Sequence, residues 1–158
     1  MCDVPGLKRH LDESVGQLYR SDRQLIDGGA HEQAITARLA FYLAQRFSPQ
    51  WDVDCEYNRD DRDERDIKRD QEGRAIRPDI IVHRRREPEN LLAVELKPLW
   101  SRRSVRRDHE KLIDLTGERF GYRLGALVHL GKQQYQIDWY RDGLPEHETT
   151  SAVSRMVR

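Results

Sequence analysis

Leu91-Leu92-Ala93-Val94-Glu95-Leu96-Lys97-Pro98, read with Arg77-Pro78-Asp79-Ile80-Ile81-Val82-His83 just before it, decides how this chain folds. Both runs are strand-like, and a strand sends alternate side chains to opposite faces. Ile80 and Val82 therefore share one face, and Asp79, Ile81 and His83 share the other. On the second run Leu92, Val94 and Leu96 point one way, and Ala93, Glu95 and Lys97 point the opposite way. Two carboxylates and an ammonium thus project from strands that otherwise read as core. Charges in such places are costly without compensation.

The linker Arg84-Arg85-Arg86-Glu87-Pro88-Glu89-Asn90 is polar and carries a turn-favouring Pro and Asn. An antiparallel hairpin centred near Glu87 places Asp79 opposite Glu95, Ile81 opposite Ala93 and His83 opposite Leu91. Slipping the register by two residues places Asp79 opposite Lys97 instead. Either register keeps Asp79, Glu95 and Lys97 on one face and within a side-chain length of each other. A one-residue slip would break the cluster and would also put Ile80 and Val82 out of register with Leu92 and Val94.

Pro78-Asp79 followed by Glu95-Leu96-Lys97 resembles the signature of the PD-(D/E)XK nucleases, the restriction-endonuclease-like superfamily. The resemblance spans roughly Glu32 to Leu130. It implies an αβββαβ core and divalent-metal-dependent cleavage of phosphodiesters, with Mg²⁺ or Mn²⁺ as cofactor. It also implies metal ligation by Asp79, Glu95, the Leu96 backbone carbonyl and Glu32, an acid on the helix before the sheet. Lys97 would then orient the attacking water.

The chemistry suits these residue types. Mg²⁺ prefers oxygen ligands and usually takes one or two carboxylates, leaving positions for water and substrate phosphate. A lysine beside it can orient the nucleophile and offset charge in the transition state. The chain has 23 Arg and only five Lys, so a generic cation at position 97 would be an arginine. Glu32 shares a helical face with Ile35, Leu39 and Leu43 and is expected to look inward, although an acid in a first helical turn is also favoured by the helix dipole. Lys111 and Asp108, on the following helix, are secondary candidates that read more simply as an exposed i,i+3 ion pair. His83 reads as a packing or solvated residue, and Asp52, Asp54 and Glu56 as the wet side of a strand.

Elsewhere the periodicity predicts helices from Leu7 to about Ile26, from His31 to Phe47 and from Ser101 to Glu118. It predicts strands at Trp51–Asn58, Ile76–His83, Leu91–Lys97, Leu124–Leu130 and Tyr135–Tyr140. Leu124–Leu130 is apolar enough to be buried on both faces, and the strand–helix–strand order from Leu91 implies a parallel crossover. The expected fold is therefore α/β: a mixed sheet of about five strands flanked by helices. It forms a single domain with its core at about 31–141, an N-terminal helix at 7–27, a charged loop at 59–74 and a tail at 144–158 with weak helical character.

Length and charge bound the rest. The 158 residues suit one domain with a real core, and no apolar run approaches the ~20 residues of a membrane span. Met1-Cys2-Asp3-Val4-Pro5 lacks the pattern of a secretion signal, and Cys2 and Cys55 are too few for a disulfide framework. A cytoplasmic setting is the expectation. Net charge is zero, but Arg84 to Arg107 holds eight bases against three acids. That excess names Arg84, Arg102, Arg103, Arg106 and Lys111 as candidate nucleic-acid contacts. No helical His pair for zinc, nucleotide-binding P-loop or G-x-S-x-G elbow is present. DNA is the expected partner and RNA the alternative, because no residue visibly reads a 2′-hydroxyl. Sequence-specific cutting would need a homodimer or a specificity subunit. The rival function is a catalytically silent nucleic-acid-binding or assembly subunit with the same fold.

Overall fold

The computed structural model describes residues 3–60, 63–147 and 155–156. Three helices come first: α1 (Val4–Ser21), α2 (Arg23–Asp27) and α3 (Glu32–Ala44). Strands β1 (Asp52–Cys55), β2 (Arg59–Asp60), β3 (Asp63–Ile67), β4 (Ile80–His83) and β5 (Asn90–Pro98) follow. Helix α4 (Arg106–Thr116) then precedes β6 (Leu124–Leu130), β7 (Gln134–Arg141), β8 (Leu144–Pro145) and β9 (Arg155–Met156).

The main sheet runs in the order β1-β4-β5-β6-β7-β8, with β9 also paired to β7. β5 and β6 are parallel and the other pairs are antiparallel, so the sheet is mixed and α4 is the crossover. Both expectations hold. Leu124–Leu130 is a strand with the bounds its apolar run suggested, because a strand enclosed by neighbours and helices has no wet face to interrupt the run.

The sheet separates two cores. On one face Ile80, Val82, Leu92, Val94 and Leu96 pack with Leu7, Leu11, Val15 and Leu18 of α1 and with Ile35, Leu39 and Leu43 of α3. On the other, Ile81, Ala93, Leu127 and Tyr140 pack with Leu112 and Leu115 of α4. Gly125 sets how closely α4 sits. A Cβ there would lie 2.9 Å from Thr116 Cγ2 and 3.1 Å from Tyr140 Cβ. Glu95 and Lys97 therefore rise into the α4 side.

Several expectations need correction. The first helix breaks at Asp22, whose carboxylate accepts from the Arg38 guanidinium at 2.9 Å and from the Tyr42 hydroxyl. Those partners lie on α3, so the local pattern gave no warning. Helix α4 starts at Arg106, not at Ser101 as expected, because Ser101 and Ser104 hydroxyls accept from the backbone N–H groups of Arg103 and Arg106. Such local bonds compete with helix. β1 is shorter than Trp51–Asn58 because Glu56 turns to φ 52°. Asp54 is not simply wet: it is half-buried and accepts from Arg85 and His83. In the hairpin His83 pairs with Asn90 across a bulge, not with Leu91.

The charged segment 59–74 is not a plain loop. It contains the β2–β3 hairpin, with residues 61 and 62 outside those described, and it is anchored. Burial would raise the Asp70 carboxyl, but the Arg74 N–H and the Arg74 and Arg107 guanidiniums outweigh it and hold the group down at about 2. Arg107 belongs to α4, so the insert is tied to the same helix that covers the site. The tail contributes β8 and β9 rather than helix, its residues 148–154 and 157–158 lying outside those described. No helix among the described residues is long and apolar enough to cross a membrane.

Candidate active site

The pairing register places the motif residues together. Ile80 lies opposite Val94 and Ile81 opposite Ala93, so Asp79, one step before β4, falls beside Glu95. Of the two registers open from sequence, the one facing Asp79 towards Glu95 is formed. Asp79 Oδ2 accepts the Leu96 N–H at 2.7 Å. The N–H and C=O of one strand residue face the same neighbour, so the Leu96 carbonyl points to the Asp79 edge as well.

Three carboxyls are raised together. Glu95 is fully buried, and burial first, then the Asp79 charge, pushes it well above the usual carboxylate range. Burial also raises Asp79, against the Leu96 N–H and the Lys111 and Arg103 charges. Glu32 opens α3 and is raised by burial and next by Asp79. After burial, Asp79 is the largest influence raising both others, with Asp108 a smaller one. Among the described residues no three His, Cys, Asp or Glu side chains already converge on a metal-sized point.

Cations stand between the acids instead. Lys111 Nζ donates to Glu95 Oε2, lies 3.5 Å from Asp108 Oδ1 and reaches the Arg77 carbonyl at 3.4 Å. Arg103 bridges Glu32 at 3.3 Å and Asp108 at 3.4 Å. Lys111 and Asp108 are both buried, which corrects the reading of an exposed ion pair and removes Lys111 from any nucleic-acid surface. The signal was available: Asp108, Lys111, Leu112 and Leu115 fall at helical spacings on the buried face of α4.

Two polar groups remain without adequate partners. Glu95 Oε1 is buried and makes no hydrogen bond. Lys97 is 5% exposed. Its ammonium has one hydrogen bond among the described residues, a long one of 3.4 Å to Ser101 Oγ, and no ion pair. An open cleft of about 420 Å³ meets the site at Glu32, Ser101 and Arg103, and Trp100 and His31 line its other side.

No family model matches the chain, and no curated protein matches it. The functional reading therefore rests on these side chains.

The basic candidates scatter. Arg84 lies five residues beyond Asp79 along β4, about 16 Å away at the usual strand rise. It stacks on Trp51 and pairs with Glu87 and Glu89, so it does not flank the site. Arg106 pairs with Glu110, and Arg103 is spent within the acid cluster. Arg102 is exposed near the cleft and has no ion-pair partner among the described residues. The basic excess counted along the chain is mostly neutralised in space, which weakens the case for tight duplex binding.

Sequence reading also missed His129 and Asp138. His129 lies directly beside Lys97 across the parallel β5–β6 pair, and its Nε2 is 2.8 Å from Asp138 Oδ2 on β7. No spacing rule within one segment links residues on two strands.

Proposed function

We propose that the protein is a divalent-metal-dependent nuclease of the PD-(D/E)XK kind, with a restriction-endonuclease-like fold and DNA as its substrate. The observation that carries this reading is a pair of costs left uncompensated on one strand face. Glu95 Oε1 and the Lys97 ammonium are both buried, two residues apart, and folding gives neither a good partner. Such costs persist where a site needs them, and carboxyls raised by burial and by each other are a common mark of one.

The donor set suits Mg²⁺ or Mn²⁺: hard oxygens from Asp79, Glu95 and the Leu96 carbonyl, with Glu32 close enough to feel Asp79. A divalent cation held there supplies a nucleophilic water near neutral pH and charge neutralisation on the phosphoryl oxygens. Lys97, on the same face, orients the attacking water and stabilises the developing negative charge. Lys111 and Arg103 hold the acids together.

One observation favours the silent-subunit alternative: Lys111 and Arg103 already neutralise part of the acid cluster. Incubating the protein with end-labelled single- and double-stranded DNA in Mg²⁺ or Mn²⁺ separates the two. Wild type is expected to cut and to stop in EDTA. Lys97→Met is expected to retain the fold, by circular dichroism, and to lose on the order of 10²-fold or more in rate. Salt-sensitive DNA binding with no cutting in either metal would favour the silent subunit.

A further inference from the structure

We propose that His129, held by Asp138, is the proton donor to the leaving oxygen of the phosphodiester cut at this site. The inference rests on the nuclease reading and extends it to a residue pair outside the motif.

The sheet register makes the placement. Glu95 pairs with Leu127, which pairs with Asp138, and Lys97 pairs with His129, which pairs with Gln136. Adjacent strands lie about 4.8 Å apart, so His129 is one strand from Lys97 on the same rung. The alternation that sends Glu95 and Lys97 to the α4 side sends His129 and Asp138 there too, because Leu127 and Tyr140 belong to the core packed under α4. His129 is thus the neighbour of Lys97 on this face of the sheet, on the side away from Asp79.

The pair is built and accessible. His129 Nε2 meets Asp138 Oδ2 at 2.8 Å, and Gln136 Nε2 donates to the other Asp138 oxygen at 2.9 Å. The side chains of His129 and Asp138 are 20% and 36% exposed, so the pair is neither sealed in the core nor loose on the surface. With Nε2 committed to Asp138, Nδ1 is the ring nitrogen left to meet substrate. The carboxylate fixes the orientation of the ring, as in other oriented histidines. His109 of α4 is hydrogen-bonded to the Tyr140 hydroxyl of β7, two residues along the strand from Asp138.

The step balances simply. Water oxygen forms a bond to phosphorus and the bond from phosphorus to the leaving nucleoside oxygen breaks. That oxygen takes the bonding pair and the proton of the His129 imidazolium, the proton of the attacking water passes to solvent, and solvent reprotonates the ring.

Leaving-group dependence tests the assignment. DNA oligonucleotides carrying the ordinary bridging oxygen, or sulfur in its place on the leaving side, are cut in Mn²⁺ by wild type, His129→Gln and Asp138→Asn. A thiolate leaves without needing a proton. His129→Gln is expected to lose on the order of 10²-fold on the oxygen substrate and little on the sulfur one. Asp138→Asn is expected to show the same selectivity to a smaller degree. Equal losses on both substrates, or no loss on either, overturn the proton-donor role while leaving the nuclease reading standing. A wild-type protein that cuts neither substrate overturns both.

Discussion

Asp79→Asn is expected to make the metal-free protein more stable while reducing cleavage on the order of 10³-fold, equivalent to roughly 4 kcal/mol of transition-state stabilisation. The two effects have one cause. Asp79 raises both Glu95 and Glu32 and is itself raised by burial. An asparagine keeps an oxygen to accept the Leu96 N–H but removes the charge at the centre of the three acids. The gain should appear as a higher urea midpoint with an unchanged slope.

The gain should also depend on pH in a defined direction. A carboxyl raised by folding binds protons more tightly in the native chain than in the unfolded one. Its stabilising contribution is therefore fully present in acid and is lost as pH rises from the ordinary carboxyl range through the elevated native value. Wild-type stability should fall across that window, and Asp79→Asn should flatten the fall. Urea unfolding at a series of pH values measures both, and a variant less stable than wild type at neutral pH would show that the acid cluster is not under electrostatic strain.

Lys111→Met is expected to be the most damaging single change outside the apolar core, costing about 3 kcal/mol. The ammonium is the hydrogen-bond partner of a fully buried carboxylate whose second oxygen has none. Removing it leaves Glu95 to take up a proton or remain as an unpaired buried charge, so the loss should grow as pH rises. Adding Glu95→Gln to Lys111→Met removes the stranded charge and should restore most of the stability. The double-mutant cycle reads that coupling directly. A Lys111→Met protein as stable as wild type would mean that the pair contributes nothing to holding α4 on the sheet.

How much was readable in advance follows the range of the forces involved. Asp79, Glu95 and Lys97 were legible because strand alternation and one hairpin fix them, and both are local in sequence. Glu32 was legible as the inward end of a helical stripe. The break at Asp22 was not, since Arg38 and Tyr42 reach it from another helix. The anchoring of residues 68–74 was hidden for the same reason: seven acids and five bases between Arg59 and Glu72 read as solvated until Arg107 of α4 claims Asp70. Lys111 was misjudged for a different reason. A charged side chain on a helix is exposed by default, and only its place beside Leu112 and Leu115 argued otherwise. The pairing of His129 with Asp138 needs the full order of the sheet.

The nuclease reading requires a hard cation to bind among acids that pair with Lys111 and Arg103. A crystal soaked in Mn²⁺ and measured at the manganese edge tests that most directly. The expected result is an anomalous peak at the carboxylates of Asp79 and Glu95, absent from Asp79→Asn crystals treated alike. Manganese bound only at surface acids such as Glu72 and Glu110, or not at all, would contradict it.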